Sequence, residues 1–204
     1  PGIFPVLMDA EGKEIDTPAA QGNLCIKHPW PGIARSIYGD HERYKDTYFS
    51  AYPGYYFTGD GARREENGMI RITGRVDDVI NVSGHRIGTA EVEDAINTHE
   101  LVVESAVIGY SHPIKGQGIF AFIIPSETDS VSEKFHQELN GIVTKMIGAI
   151  AKPEKIKVVS GLPKTRSGII MRRILRKVAE GDFNNLGDTS TLLNPEIVDE
   201  LIRK

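Results

Sequence analysis

The hydrophobic pattern of this 204-residue chain changes character at one place, near Asp77-Asp78, and that change constrains the fold more than any single motif does. Before it, apolar residues come in short strand-like runs, at 22–27 and 68–73, set between turn-rich stretches. Asp9-Ala10-Glu11-Gly12-Lys13 and Glu65-Glu66-Asn67-Gly68 read as hairpin turns, because Gly and Asn-Gly supply the positive φ that such turns need. No long amphipathic helix is legible there. After it, a strand is expected over 78–82, then a helix capped by Thr89 with Val92, Ala95 and Ile96 on one face. Residues 102–110 and 118–124 read as strands rich in β-branched and aromatic side chains. Between Val131 and Ile150, the residues Phe135, Leu139, Ile142, Val143, Met146, Ile147 and Ile150 recur at spacings of three and four, which predicts the longest helix, closed by Pro153. A strand over 155–160, a second stripe at Ile170, Ile174, Leu175 and Val178, and a helix over 195–203 complete the pattern. The fold class is therefore α+β: a β-rich segment over 1–77 and a compact α+β unit over 78–204. No Gly/Ser linker marks the joint, so the joint is expected to be short.

Composition narrows the function classes. With 24 basic and 28 acidic residues the net charge is −4, so no whole-chain field draws the protein to nucleic acid or anionic lipid, and any basic patch must be local. One cysteine, Cys25, excludes an internal disulfide and points to a reducing, cytoplasmic setting. The run Ile119-Phe120-Ala121-Phe122-Ile123-Ile124 is far too short to cross a bilayer. The opening Pro1-Gly2-Ile3-Phe4-Pro5, lacking an initiator Met, reads as the start of a piece of a longer chain.

Three stretches can carry chemistry. In Tyr55-Tyr56-Phe57-Thr58-Gly59-Asp60-Gly61, a carboxylate in a Gly-flanked turn can accept hydrogen bonds from both hydroxyls of a ribose; on its own, Gly-Asp-Gly is equally a simple turn. In the stretch 72–89, Arg75 and Arg86 offer planar donors for a phosphate or ribose, and Gly84 and Gly88 permit positive φ or close approach of backbone to a ligand. The bland alternative is a solvated hairpin ending in a capped helix. Over 164–177, six basic residues crowd together, which suits a polyphosphate, RNA or an anionic surface, but is also what a helix shows opposite an apolar stripe.

Taken together, Tyr56-Phe57-Thr58-Gly59-Asp60, Thr73-Gly74-Arg75-Val76-Asp77-Asp78, Asn81-Val82-Ser83-Gly84-His85-Arg86 and Pro163-Lys164-Thr165-Arg166-Ser167-Gly168 resemble, in identity and order, the C-terminal portion of AMP-forming acyl-CoA synthetases. The wording of 82–91 and 171–177 is specifically similar to the acetyl-CoA synthetases of that adenylate-forming superfamily.

The resemblance implies a ligase reaction in two halves: acetate and ATP form acetyl-adenylate and diphosphate with Mg2+, and the thiol of coenzyme A then displaces AMP. It implies that residues 1–77 end a large adenylation domain whose phosphate-binding loop and acyl pocket lie upstream, and that 78–204 is the mobile C-terminal domain. Carried over residue by residue, Asp60 would hold the ribose of ATP or AMP, Arg75 and Arg86 would meet the nucleotide, and Asp77 would be the hinge. Ser83 and Gly84 would line the coenzyme A tunnel. Asn97, His99 and Val102 fall where relatives bind a structural cation, mostly through backbone oxygens. Two departures stand out. The family's catalytic lysine is Ile169 here, and Thr144 stands where relatives carry an arginine for a coenzyme A phosphate, with Lys145 beside it. The implied partners are acetate, ATP or AMP, coenzyme A and the upstream domain, with no nucleic acid and no membrane. Propionyl-CoA synthetase, another short-chain ligase, a non-catalytic nucleotide- or CoA-binding module and a nucleic-acid-binding domain built on the basic helix are the competing readings.

Overall fold

The computed structural model describes residues 2–127, 132–187 and 189–203. The chain divides into two compact units, residues 1–77 and 78–204.

The first unit is an antiparallel meander of β1 (Pro5–Met8), β2 (Ala20–Ile26), β3 (Tyr56–Arg64) and β4 (Ile70–Arg75), hydrogen-bonded in that order. Successive residues of a strand point to opposite faces. Leu7 and Leu24 accordingly pack with Ala62 on one face, while Met8 and Cys25 pack with Tyr52 on the other. Between β2 and β3 lies α1 (His41–Phe49), which the hydrophobic pattern does not announce. Asp40 starts it, its carboxylate accepting the Arg43 N–H at 3.0 Å. The buried face of α1 is aromatic rather than aliphatic. Tyr44 is buried and its hydroxyl donates to the Ala34 carbonyl, and Tyr48 and Phe49 pack on Tyr56.

The second unit is built on a mixed sheet of β5 (Ile80–Val82), β6 (His85–Ile87), β7 (Val102–His112), β8 (Gly116–Pro125) and β9 (Lys155–Val158), with the path β6-β5-β8-β7 and β9 parallel to β8. Both faces are covered. Val107, Ile119, Ala121 and Ile123 pack against α2 (Thr89–Ile96) and α3 (Glu133–Met146). The alternate residues Ala106, Ile108 and Phe122 pack against α4 (Arg172–Glu180) and α5 (Glu196–Ile202). Phe122 is fully buried and stacks on Phe120 with centroids 4.5 Å apart; burying such a side chain contributes about 1.5–3 kcal/mol.

Several element ends differ from the sequence expectation. Gly88 is the N-cap of α2 with φ −72°, so it adopts no positive φ, and Thr89 is the first helical residue and not the cap. The Thr89 side chain is buried. The segment 76–78 is a short 3-10 turn, and the strand after it begins only at Ile80. The long helix is capped by Ser132, whose hydroxyl accepts the Phe135 N–H, and it stops at Met146. Ile147 leaves helical geometry, and the apolar residues beyond it belong to a separate 3-10 turn, Ala149–Ala151. Val131, the expected start, lies outside the described residues. The strand over 155–160 ends at Val158, and Val159 closes the register by donating to the Ile123 carbonyl.

Candidate functional site

In the first unit, Asp60 and Arg75 are directly opposite each other on β3 and β4. The ladder between β2 and β3 jumps at this place: Asn23 pairs with Gly61 and Cys25 with Phe57, so two steps along β2 face four along β3. The surplus bulges Thr58-Gly59-Asp60 away from β2, while Asp60 stays paired with Arg75 on β4. Thr58 holds the bulge by donating its hydroxyl to the Leu24 carbonyl at 2.9 Å and accepting the Asp60 N–H at 3.1 Å. Gly59 sits at φ +80°, and a Cβ there would come within 2.7 Å of Arg75 Nη2. Glycine at 59 therefore lets the guanidinium lie flat over the bulge.

Arg75 reaches three oxygens: Asp77 Oδ1 from Nε at 3.2 Å, Asp60 Oδ1 from Nη1 at 3.6 Å, and the Thr58 carbonyl at 3.5 Å. The long contact to Asp60 leaves that carboxylate hydrogen-bonding capacity for a ligand. Beside the pair opens a cleft of about 470 Å³ lined by Thr47, Tyr48, Tyr56, Gly59, Arg75 and Asp77 among others, with Asp60 next to it and not in its lining. Tyr48 and Tyr56 stack in its wall with centroids 4.8 Å apart, and burial pushes the Tyr56 phenol above its ordinary range, with Tyr48 adding to the shift. An aromatic wall, a carboxylate and a guanidinium fit the base, ribose and phosphate side of a nucleotide. Of the residues singled out in the sequence, the structure brings Asp60, Arg75 and Asp77 together. The hydrophobic pattern does not reveal α1's contribution of Thr47 and Tyr48, for which an Asp cap followed by aromatics at 44, 48 and 49 is the available signal.

In the second unit, Ser83 and Gly84 are the two-residue loop of the β5–β6 hairpin, at φ 49° and 84°. Positive φ at both central positions is the geometry matched to strand twist, and only position 83 carries a Cβ there. Ser83 is tied down by its N–H, which donates to the Lys115 carbonyl at 2.9 Å. Ser83, Gly84, His85 and Arg86 are all exposed, Arg86 pairing with Asn81 across an edge strand. The hairpin thus presents a hydroxyl, bare backbone and a guanidinium together.

Asn97, His99 and Val102 come together in the turn between α2 and β7. Asn97 Oδ1 accepts the Ser105 hydroxyl at 2.8 Å, and the Val102 N–H donates to the His99 carbonyl at 3.0 Å. Both His99 nitrogens are engaged, one with Glu138 at 3.3 Å and the other with the Leu101 N–H. Hydrogen bonding from His99, and then Lys134, holds the Glu138 carboxyl below its usual range. With those side chains engaged, backbone oxygens are what this turn offers a cation. Among the described residues no group of three or more His, Cys, Asp or Glu side chains could hold a metal ion. Thr144 lies on the exposed side of α3 with its hydroxyl donating to the Asn140 carbonyl, whereas Lys145 lines a cavity of about 560 Å³ with His99 and Glu138.

Ile169 occupies a tight turn before α4. Thr165 N–H donates to the Ile169 carbonyl at 2.9 Å, Gly168 N–H to the Thr165 carbonyl at 2.8 Å, and Ile169 N–H to Thr165 Oγ1 at 3.1 Å. The Ile169 side chain takes no part and is 65% exposed. The basic residues around this turn do not form the open cationic patch that their sequence density suggests. Lys164 pairs with Glu104 at 2.7 Å, Arg172 with Glu93, Arg176 with Asp78 and Lys177 with Asp182, while Arg173 donates to the Leu186 carbonyl. Arg166 remains exposed beside a cleft of about 430 Å³ with Thr165, Ser167, Ser190 and Thr191. No helix among the described residues is long and apolar enough to cross a membrane.

Residues 91–168 match the AMP-binding enzyme C-terminal domain. The chain is 60% identical over 201 residues to an acetyl-coenzyme A synthetase of Methylorubrum populi, covering 98% of this chain and 31% of that protein. It thus spans about a third of the length of the curated relatives it matches. An acetoacetyl-CoA synthetase from Streptomyces lividans shares the fold with a TM-score of 0.84 at 20% identity, over 98% of this chain and 30% of that one. An anthranilate CoA ligase, AuaEII, solved in complex with anthranoyl-AMP, matches with a TM-score of 0.77 at 30% identity, over 87% and 33%. The chain thus carries, over residues 91–168, a stretch that matches the AMP-binding enzyme C-terminal domain, and it aligns along nearly its whole length with about a third of the acetyl-coenzyme A synthetases it resembles.

Proposed function

We propose that this chain works as the C-terminal part of an acetate–CoA ligase, which joins acetate and coenzyme A at the expense of ATP through acetyl-adenylate, releasing diphosphate and AMP. Carboxylate is a poor electrophile at neutral pH, and exchanging its oxide for an AMP leaving group makes the carbonyl open to a thiol. Residues 1–77 end the adenylation domain and 78–204 form the mobile domain, with Asp77 as hinge. Asp60 accepts the ribose hydroxyls, Arg75 meets the ribose-phosphate side, Arg86 meets the phosphates, and Ser83 and Gly84 border coenzyme A, with Thr144 or its neighbour Lys145 near the coenzyme's phosphate. Backbone oxygens around Asn97, His99 and Val102 take a structural cation. ATP, coenzyme A and Mg2+ are the small-molecule requirements. The phosphate loop and acyl pocket belong to the upstream domain, so the isolated chain is inactive, and propionate in place of acetate is decided there.

The observation that carries this reading is the Asp60–Arg75 pair raised on a bulge beside an aromatic cleft, in a chain 60% identical to acetyl-coenzyme A synthetases. Calorimetric titration of the full-length polypeptide with AMP tests it. A ribose bound by a charged acceptor is worth about 1.5–3 kcal/mol, so Asp60→Asn is expected to weaken AMP about 10- to 100-fold while leaving adenine alone little affected. Equal affinity in the two proteins would refute the assignment. Ile169 favours a second reading, a nucleotide- and CoA-binding module that no longer adenylates; under it AMP binds and diphosphate is never released.

A further inference from the structure

Four charges that the proposed reaction does not use are gathered at one edge of the second unit. Glu93, on α2, is buried, and Arg172 Nη2 reaches both its oxygens at 2.7 Å. Glu93 Oε1 also accepts the Val107 N–H at 2.7 Å. β7 ends the path of its sheet, so this N–H points outward from a free strand edge, and the carboxylate covers it. Arg172 opens α4, which packs on the opposite face of the sheet from α2. The ion pair therefore ties the two helical layers together around the edge of β7. One turn later on α4, Arg176 pairs with Asp78, and Arg172 Nη1 stands 4.0 Å from the same carboxylate. Asp78 is the first residue of the second unit.

Partly buried ion pairs of this kind are a weak source of stability, because apolar residues of the same volume often do as well or better. What the cluster does supply is a fixed relation between segments far apart in sequence. The turn bearing Ile169 ends where α4 begins: Met171 N–H donates to the Pro163 carbonyl at 2.8 Å, and Arg172 follows directly. We infer that Arg172 and Arg176 are positioning residues, which through Glu93 and Asp78 hold the 165–170 turn and the first residue after the boundary in one rigid body. Rotation at the boundary is then delivered to position 169 without slack. This rests on the reading above, in which 78–204 is the mobile domain and Asp77 its hinge.

Hydrogen exchange of the Thr165, Gly168 and Met171 amides, with β8 amides as the internal control, tests the clamp in the full-length polypeptide without requiring activity. Glu93→Gln keeps an acceptor for Val107 but loses the charge, Arg172→Lys loses the fork, and Asp78→Asn releases Arg176. Each is expected to speed turn exchange about tenfold with β8 unchanged. In an Ile169→Lys background, each is also expected to lower kcat for adenylate formation about tenfold at unchanged KM for ATP. Turn amides that do not respond would overturn the proposal, as would β8 amides that speed up equally, or a kcat that stays constant while the turn loosens. If instead no Ile169→Lys protein adenylates acetate, the functional reading fails while the exchange data still judge the clamp.

Discussion

Replacing Ile169 by lysine in the full-length polypeptide separates the shape of the 165–170 turn from its chemistry. The turn is closed by the Thr165, Gly168 and Ile169 backbone groups and by the Thr165 hydroxyl, none of which involves the residue-169 side chain. That side chain is 65% exposed, so little packing is lost and a charged head can remain in water. The expected stability change is within about 0.5 kcal/mol, a shift in Tm of about 1–2 °C for a chain of this size. The expected catalytic change is far larger. A preorganised cation aimed at charge developing between carboxylate and α-phosphate is worth about 10²- to 10³-fold in rate, or about 3–4 kcal/mol. Acetate-dependent diphosphate release, followed by a coupled assay, should therefore rise at least about 100-fold in Ile169→Lys. Conversion of supplied acetyl-adenylate and coenzyme A to acetyl-CoA should barely change. Ile169→Met controls for length without charge. Diphosphate release unchanged in a lysine variant with wild-type Tm would refute the reasoning, because the turn would then be intact and the restored charge without effect.

Two further outcomes follow from individual side chains. Gly59→Ala places a Cβ 2.7 Å from Arg75 Nη2 at φ +80°, so a loss of about 1–2 kcal/mol in denaturant unfolding is expected, together with weaker AMP binding as Arg75 is pushed off Asp60; stability equal to wild type would contradict the geometry. Cys25 is fully buried and burial pushes its thiol up to about 12, so iodoacetamide at pH 8 should label it only in denaturant. Between its ordinary value of 9.0 and that raised value, the unfolded chain gives up a proton that the folded chain keeps. Stability should accordingly fall as pH rises through that window, by at most about 1.4 kcal/mol per unit from this group, and a flat profile there would argue against burial of the thiol.

The parts of the fold legible in the sequence are those set by aliphatic periodicity. The faces of α2, α3 and α4 follow from Val92, Ala95, Phe135, Leu139, Val143, Ile174 and Leu175, all of which are buried where the spacing puts them. The hidden parts are set by other forces. α1 buries tyrosines whose hydroxyls must find partners, as Tyr44 does on Ala34, so its stripe does not register as apolar. The end of α3 is decided by the backbone at Ile147 and not by the apolar residues beyond it. At the candidate nucleotide site, the residue types Asp60 and Arg75 were readable, but their nearness depends on the β3–β4 register, which sets them opposite each other only once the strands pair. The basic stretch 164–177 shows the opposite failure: its charge density is plain in sequence, yet three of its acids, Asp78, Glu93 and Glu104, lie 60 or more residues away and neutralise it only after folding. Position 169 sharpens the distinction. The backbone of Thr165, Gly168 and Ile169 and the hydroxyls of Thr165 and Ser167 hold that turn, so its shape does not depend on the residue-169 side chain. Resemblance there, in sequence or in geometry, therefore measures whether the turn can be positioned, and only the side chain at 169 measures whether it can stabilise charge.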